Sequence, residues 1–283
     1  MPSQDNFTHC ADLVRSFDHD RFLSGLFVSG LARSHLYALY AFNVEVARIA
    51  ELVSDPLLGE IRLHWWREAL EAAFAGDIPR AHPVAHALTE AIRARALPMP
   101  LFEALLDARA QDVSATPPAT LAGLEHYAQD TSAGVMRLAV AMLSRDAIGT
   151  ASLKAIDHAG IGMALVGLIR AAGFHASRQR VYLPLDLLEQ HGLTVQTVLS
   201  GRITTPLRRV IHTVAECAAV HLERARAVTL PREILPAILP AAVTKLYLPE
   251  ILRDDFDPFP ITRPVPGFRR QLRLLRVMLQ GRL

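Results

Sequence analysis

Apolar residues return every three to four positions over most of this chain, and alternating runs of β-branched residues are nearly absent. That spacing gathers apolar side chains on one face of a helix, not on one face of a strand. It predicts a helix from Leu23 to about Val53, interrupted near Ser29-Gly30, and another from Glu60 to about Ala75, with Pro56 and Gly59 marking the turn between them. Gly76-Asp77-Ile78-Pro79 ends the second. Further helices are expected at Pro83–Arg95, Pro100–Ala110, Leu121–Ser144, Thr150–Ala172, Thr205–Ala227 and Pro236–Arg253, plus a short one from Leu185 to His191 closed by Gly192. Gly160 and Gly162 are small enough to let helices approach closely. Arg178 to Pro184 reads as a turn or short extended piece, Asp254 to Pro260 as a loop, and Phe268 to Leu283 as a basic amphipathic helix. The expected fold class is all-α, a single domain over residues 1–283, with no repeat and no low-complexity linker.

Composition narrows the partners. Hydrophobic residues make up 51% of the chain and charged residues 20%, the balance of a globular protein with a large core. A formal net charge of +2 creates no field that calls for nucleic acid. Among the 30 basic residues only Lys154 and Lys245 are lysines, so an anion site here would be built from guanidinium forks. Cys10 and Cys217 lie far apart, in no evident metal-ligand spacing, and fit a reducing compartment. The polar opening lacks the basic-then-apolar pattern of a signal peptide. The longest uninterrupted apolar run, about Ala159 to Ile169, is shorter than a membrane span. The expectation is a cytoplasmic protein, soluble or peripheral to a membrane.

Two blocks carry a family likeness. Leu39 to Glu51, with Arg62-Leu63-His64-Trp65-Trp66-Arg67, resembles the first signature region of squalene and phytoene synthases. Leu165-Val166-Gly167-Leu168-Ile169-Arg170 through Arg180-Val181-Tyr182-Leu183-Pro184 resembles the second, and the likeness runs from about Asp18 to Leu283. It implies an isoprenoid-synthase-like helical bundle around a central cavity. Enzymes of that family join two prenyl diphosphates, and Mg²⁺ held by two Asp-rich patches draws off the diphosphate. Here the first patch reads Ala47, Arg48, Ile49, Ala50, Glu51, and the second Ala171, Ala172, Gly173, Phe174, His175. Alanine offers no ligand and arginine repels a metal, so the likeness implies a chain with no catalytic residue, no metal and no cofactor. Glu51 and Asp55 form a shifted i,i+4 pair that does not replace the second patch. The alternative is an Mg²⁺-dependent prenyltransferase condensing farnesyl or geranylgeranyl diphosphate.

A narrower likeness points the same way. His175 to Asp186 with His191-Gly192, Ala41 to Glu45 and Asp255 to Pro258 resemble the non-enzymatic branch typified by a mitochondrial complex I assembly factor. That implies complex I subunits or assembly intermediates as partners, at the face of the inner membrane. Arg48, Arg170, His175, Arg178 and Arg180 then form a candidate metal-free site for the phosphate of a lipid or isoprenoid ligand. The competing reading pairs these arginines with Glu45, Glu51 and Asp186 in a dead site. Trp65, Trp66, Tyr37, Tyr40 and Phe42 either wall an apolar tunnel or form plain core. Asp254-Asp255-x-Asp257 lacks the glycine of a calcium loop and reads as a solvated turn. The terminal helix sets Arg269, Arg270, Arg273, Arg276 and Arg282 against a stripe of Phe268, Leu272, Leu275 and Leu279. It either lies on an anionic membrane or caps the bundle with that stripe.

Overall fold

The computed structural model describes residues 4–77, 81–144, 146–260 and 265–283, and among them every regular element is helical. The polar opening is itself a helix, α1 (Gln4–Phe17), because Phe7, Cys10 and Val14 recur at helical spacing among the charges and are buried. After α2 (His19–Gly25) the expected interruption appears: Ser29 is extended and Gly30 takes φ +60°. The central element is α3 (Gly30–Leu52), in which every residue from His35 to Val44 is buried. Then come α4 (Pro56–Ala75), α5 (Pro83–Arg95) and α6 (Met99–Ser114). Asp55 opens α4 by accepting the Leu57 N–H at 2.9 Å, and left-handed Gly76 closes it. Ile78 and Pro79, expected to help end that helix, lie outside the described residues.

The stretch expected as one helix from Leu121 to Ser144 is α7 (Leu121–Ala128), a π-helical turn (Gln129–Ala133) and α8 (Gly134–Leu143). Next are α9 (Thr150–Arg170), α10 (Ala172–Ser177), α11 (Leu185–Gln190), α12 (Val195–Leu199) and α13 (Thr205–Arg226). Gly192 ends α11 at φ +65°, with the Leu193 N–H reaching back to the Leu188 carbonyl at 2.8 Å. Pro236–Arg253 does not run as one helix. It divides into α14 (Leu235–Val243), a 3₁₀ turn (Thr244–Leu246) and α15 (Leu248–Ile251), because Pro249 has no N–H with which to continue the ladder. The chain ends in α16 (Gly267–Gln280).

Two apolar clusters fill the interior, and Phe22, Met278 and Leu283 pack against both. The glycines of α9 set the spacing of the bundle. A Cβ on Gly160 would lie 2.4 Å from Ala133 Cα in the π-turn, and one on Gly162 would lie 2.7 Å from the Leu222 side chain of α13. Thr150–Arg170 and Arg232–Ile251 are long and apolar enough to cross a membrane by length and composition, although no single uninterrupted run is. In the fold they are half or more buried within the protein. The terminal helix packs on α14 and α2 through Leu274 and Val277, not through the expected stripe. Phe268, Leu272, Leu275 and Leu279 are left 68, 62, 46 and 69% exposed.

Candidate functional site

A cavity of about 310 Å³ opens among α2, α9 and α14 and reaches in to α3, α6 and the π-turn. Its volume is at the lower end of small-ligand pockets. Of the five residues expected to bind an anion, Arg170 and His175 line it; the wall also holds Asp18, Asp20, Arg21, Asn43, Arg109, Tyr127 and Ser132. Both carboxylates are engaged. Asp18 caps α2 through the Arg21 N–H at 3.1 Å and pairs with the Arg21 guanidinium. Asp20 accepts a 2.9 Å bond from Arg270 of α16. Burial raises its carboxyl above the ordinary value, and Arg270 opposes that shift. Arg170 differs: its guanidinium lies 3.4 Å from the centre of the Tyr247 ring, and its charge opposes the rise of the Asp20 carboxyl without forming an ion pair with it.

Beneath the cavity, buried Asp112 collects three partners. It accepts hydrogen bonds from the Tyr127 hydroxyl at 2.9 Å and the Tyr182 hydroxyl at 2.8 Å, and it pairs with Arg109 at 3.0 Å. The Arg109 guanidinium also donates to the Tyr127 oxygen at 2.8 Å. Burial pushes both phenols above their ordinary range. Three residues that line the cavity each carry one buried polar atom with no partner: Asn43 Oδ1, Arg109 Nε and Ser132 Oγ. Each unmet group costs on the order of 1–3 kcal/mol. The π-turn supplies part of this wall. Its wide turn is tied by the Thr131 hydroxyl to the Tyr127 carbonyl at 2.6 Å and carries Ser132.

The other expected anion ligands are held elsewhere. Arg48 lies over the Phe17 ring at 3.7 Å. Gln179 takes φ +59° and closes α10 with a reversed turn in which the Arg180 N–H reaches the His175 carbonyl at 2.9 Å. That reversal sends Arg180 to the Ala50 carbonyl at 2.5 Å and Arg178 to the Glu51 carbonyl at 3.4 Å. Both cations thus sit at the C-terminus of α3, where the helix dipole favours them. Among the described residues neither ion-pairs with the Glu45, Glu51 or Asp186 carboxylate; their guanidinium groups reach α3 carbonyls instead. His175 stacks edge-on against Tyr182 at 4.6 Å, and burial lowers it to about 4. It therefore adds no positive charge near neutral pH. Ala47 and Ala171 bring no donor, and Asp55, the second member of the shifted pair, is spent on capping α4.

The aromatic block is core. Phe42 meets Trp66 at 5.0 Å and Phe102 at 5.6 Å, and none of the three lines the cavity. The acidic loop is a turn in which Asp255 pairs with Arg253 and Asp257 accepts the Phe259 N–H. Arg21, Arg109, Asp112 and Asn43 were not singled out from the sequence. Only the recurrence of polar residues inside otherwise apolar helices hints at them.

Comparison with known proteins agrees with this architecture. The squalene/phytoene synthase family model matches residues 14–277. Complex I assembly factor 6 of Rattus norvegicus is 31% identical over 257 residues, 90% of this chain and 76% of the relative. The phytoene synthase of Arthrospira platensis is 24% identical over 99% of this chain and 94% of its own. A crystal structure of a dehydrosqualene synthase superposes with a TM-score of 0.83 at 18% identity, over 98% of this chain and 96% of that one.

Proposed function

Starting from a chain that belongs to the squalene/phytoene synthase family, we propose a non-catalytic role in assembling respiratory complex I, with a metal-free cavity for the anionic head of a lipid or isoprenoid. The observation that carries the reading is the state of the acids. Ala47, Arg48, Ala171 and His175 stand where the resemblance expects ligands, and the two carboxylates on the cavity wall are both taken up by guanidinium groups. Mg²⁺ binds through free carboxylate oxygens in near-octahedral geometry, and this donor set does not fit it. No step through a metal follows. Identity of 31% to an assembly factor over most of the chain supports the partner class.

Arg170 is the anchor in this reading. A guanidinium on an aromatic face, without an ion pair among the described residues, is free to fork onto a phosphate. Arg109 and Ser132 line the same cavity. The exposed stripe of α16, flanked by exposed Arg269 and Arg276, suits an anionic bilayer and would hold the protein at the membrane where complex I is built.

The test is a deletion strain assayed for NADH:ubiquinone oxidoreductase activity in its membranes. Activity should fall and return with the gene; unchanged activity would remove the assembly reading. The cavity is tested apart from it, by titrating the purified chain with farnesyl diphosphate in EDTA. Binding should survive chelation and weaken about tenfold in Arg170→Ala, the loss of roughly one charge-assisted hydrogen bond. Equal affinity in that variant would refute the site.

A further inference from the structure

A second group of reactive side chains lies apart from the arginine cavity. Glu125 of α7 and Cys217 and His221 of α13 bring a carboxylate oxygen, a sulfur and an imidazole nitrogen within 4.8 Å of one another. None of them lines the cavity. Cys217 and His221 are four residues apart and share a face of α13. The Cys217 sulfur lies within 4.8 Å of both the Glu125 carboxylate and the His221 ring, and His221 Nε2 lies 2.8 Å from Glu125 Oε1. Behind His221, its Nδ1 meets His158 Nδ1 of α9 at 2.9 Å. The grouping follows from the close packing of α9. Gly162 lets α13 approach and Gly160 lets the π-turn approach, carrying α7 with it.

We propose that Glu125, Cys217 and His221 bind one Zn²⁺ ion, with His158 as a positioning residue behind His221 and water in the fourth place. A thiolate, an imidazole and a carboxylate form a donor set that selects zinc over Mg²⁺ or Ca²⁺. Tetrahedral zinc, with sulfur at ~2.3 Å and nitrogen or oxygen at ~2.0–2.1 Å, separates its donors by roughly 3.3–3.6 Å. Side-chain shifts of about 1 Å bring the three atoms to that spacing. The charges balance, because thiolate and carboxylate together offset a dication. A ligating histidine commonly donates its other N–H to a partner that fixes ring orientation, and His158 stands in that place.

The protons balance as well. Without metal, His221 donates its Nε2–H to Glu125 and accepts at Nδ1 from His158. With zinc on Nε2, the His221 proton sits on Nδ1 and points to His158, whose own proton moves to Nε2. Each imidazole keeps one proton. Cys217 gives its thiol proton to solvent, so one proton leaves per ion bound.

The test uses the full chain, stripped with EDTA, re-equilibrated with micromolar Zn²⁺, desalted and measured by elemental mass spectrometry. Expected is close to one ion per chain in the wild type and in Cys10→Ser, and at least a tenfold loss in Cys217→Ser and in His221→Ala. His158→Phe should weaken binding roughly 10- to 100-fold. Co²⁺ should give a thiolate-to-metal charge-transfer band in the wild type that Cys217→Ser lacks. Circular dichroism identifies any variant that fails to fold, and Glu125→Gln, which changes shape least, supplies the same loss independently. Less than a tenth of an ion per wild-type chain, or a band that persists in Cys217→Ser, overturns the proposal. The outcome is independent of the assembly reading.

Discussion

Replacing Asp112 with alanine removes the centre of the polar network under the cavity. The carboxylate is 5% exposed and holds the Tyr127 hydroxyl, the Tyr182 hydroxyl and the Arg109 guanidinium at once. Its loss strands a buried guanidinium whose Nε already lacks a partner. Breaking a buried pair from one side costs about 3–5 kcal/mol. At about 2–4 °C per kcal/mol for a chain near this size, the midpoint of thermal unfolding should fall by roughly 6–20 °C. Scanning calorimetry and urea melts read the change, provided unfolding is reversible. Adding Arg109→Leu discriminates the cause. If the stranded charge dominates, the double variant recovers about 2 kcal/mol relative to Asp112→Ala, although the tyrosines still lack their acceptor. A loss under about 1 kcal/mol in the single variant, or a double variant less stable than the single, would refute this account.

Other consequences follow from particular contacts. Folding lowers His175 from 6.5 to about 4, chiefly by burial, so the stability linked to its neutral form is fully present above pH 6.5 and is lost as pH falls toward 4. The window is worth on the order of 3 kcal/mol, and His175→Phe should flatten the pH dependence of urea melts there; an unchanged slope would count against it. Gly160→Ala puts a methyl against the Ala133 backbone and should cost about 1–3 kcal/mol or more, since neither helix can yield cheaply; a neutral result would show that α9 is free to shift. Gln179→Gly relieves a left-handed backbone and should stabilise by about 1 kcal/mol if the Arg180 contact is kept. Leu272→Ser with Leu275→Ser should reduce sedimentation with phosphatidylserine vesicles while leaving the melt within about 0.5 kcal/mol, because both side chains are exposed; equal sedimentation would remove α16 as the anchor.

Much of this protein is local information. Helical spacing of apolar residues and the prolines and glycines between them reported most of the bundle, and the two signature regions reported the family. α1 escaped because its apolar positions are few among charges, and the π-turn escaped because one wide turn does not alter the apolar period. What faces the cavity was decided only by tertiary contact. Arg48 and Arg170 look alike in the sequence, yet one covers Phe17 and the other Tyr247 on the cavity wall. The left-handed backbone at Gln179 turns Arg180 toward the end of α3, a direction no composition encodes. Asp18, Arg109 and Ser132 share a wall only because α2, α6 and the π-turn dock together. The same holds for Glu125, His158, Cys217 and His221, which meet because two glycines let helices touch. Periodicity tells a side chain which face it occupies; the neighbour that face meets depends on how the helices pack.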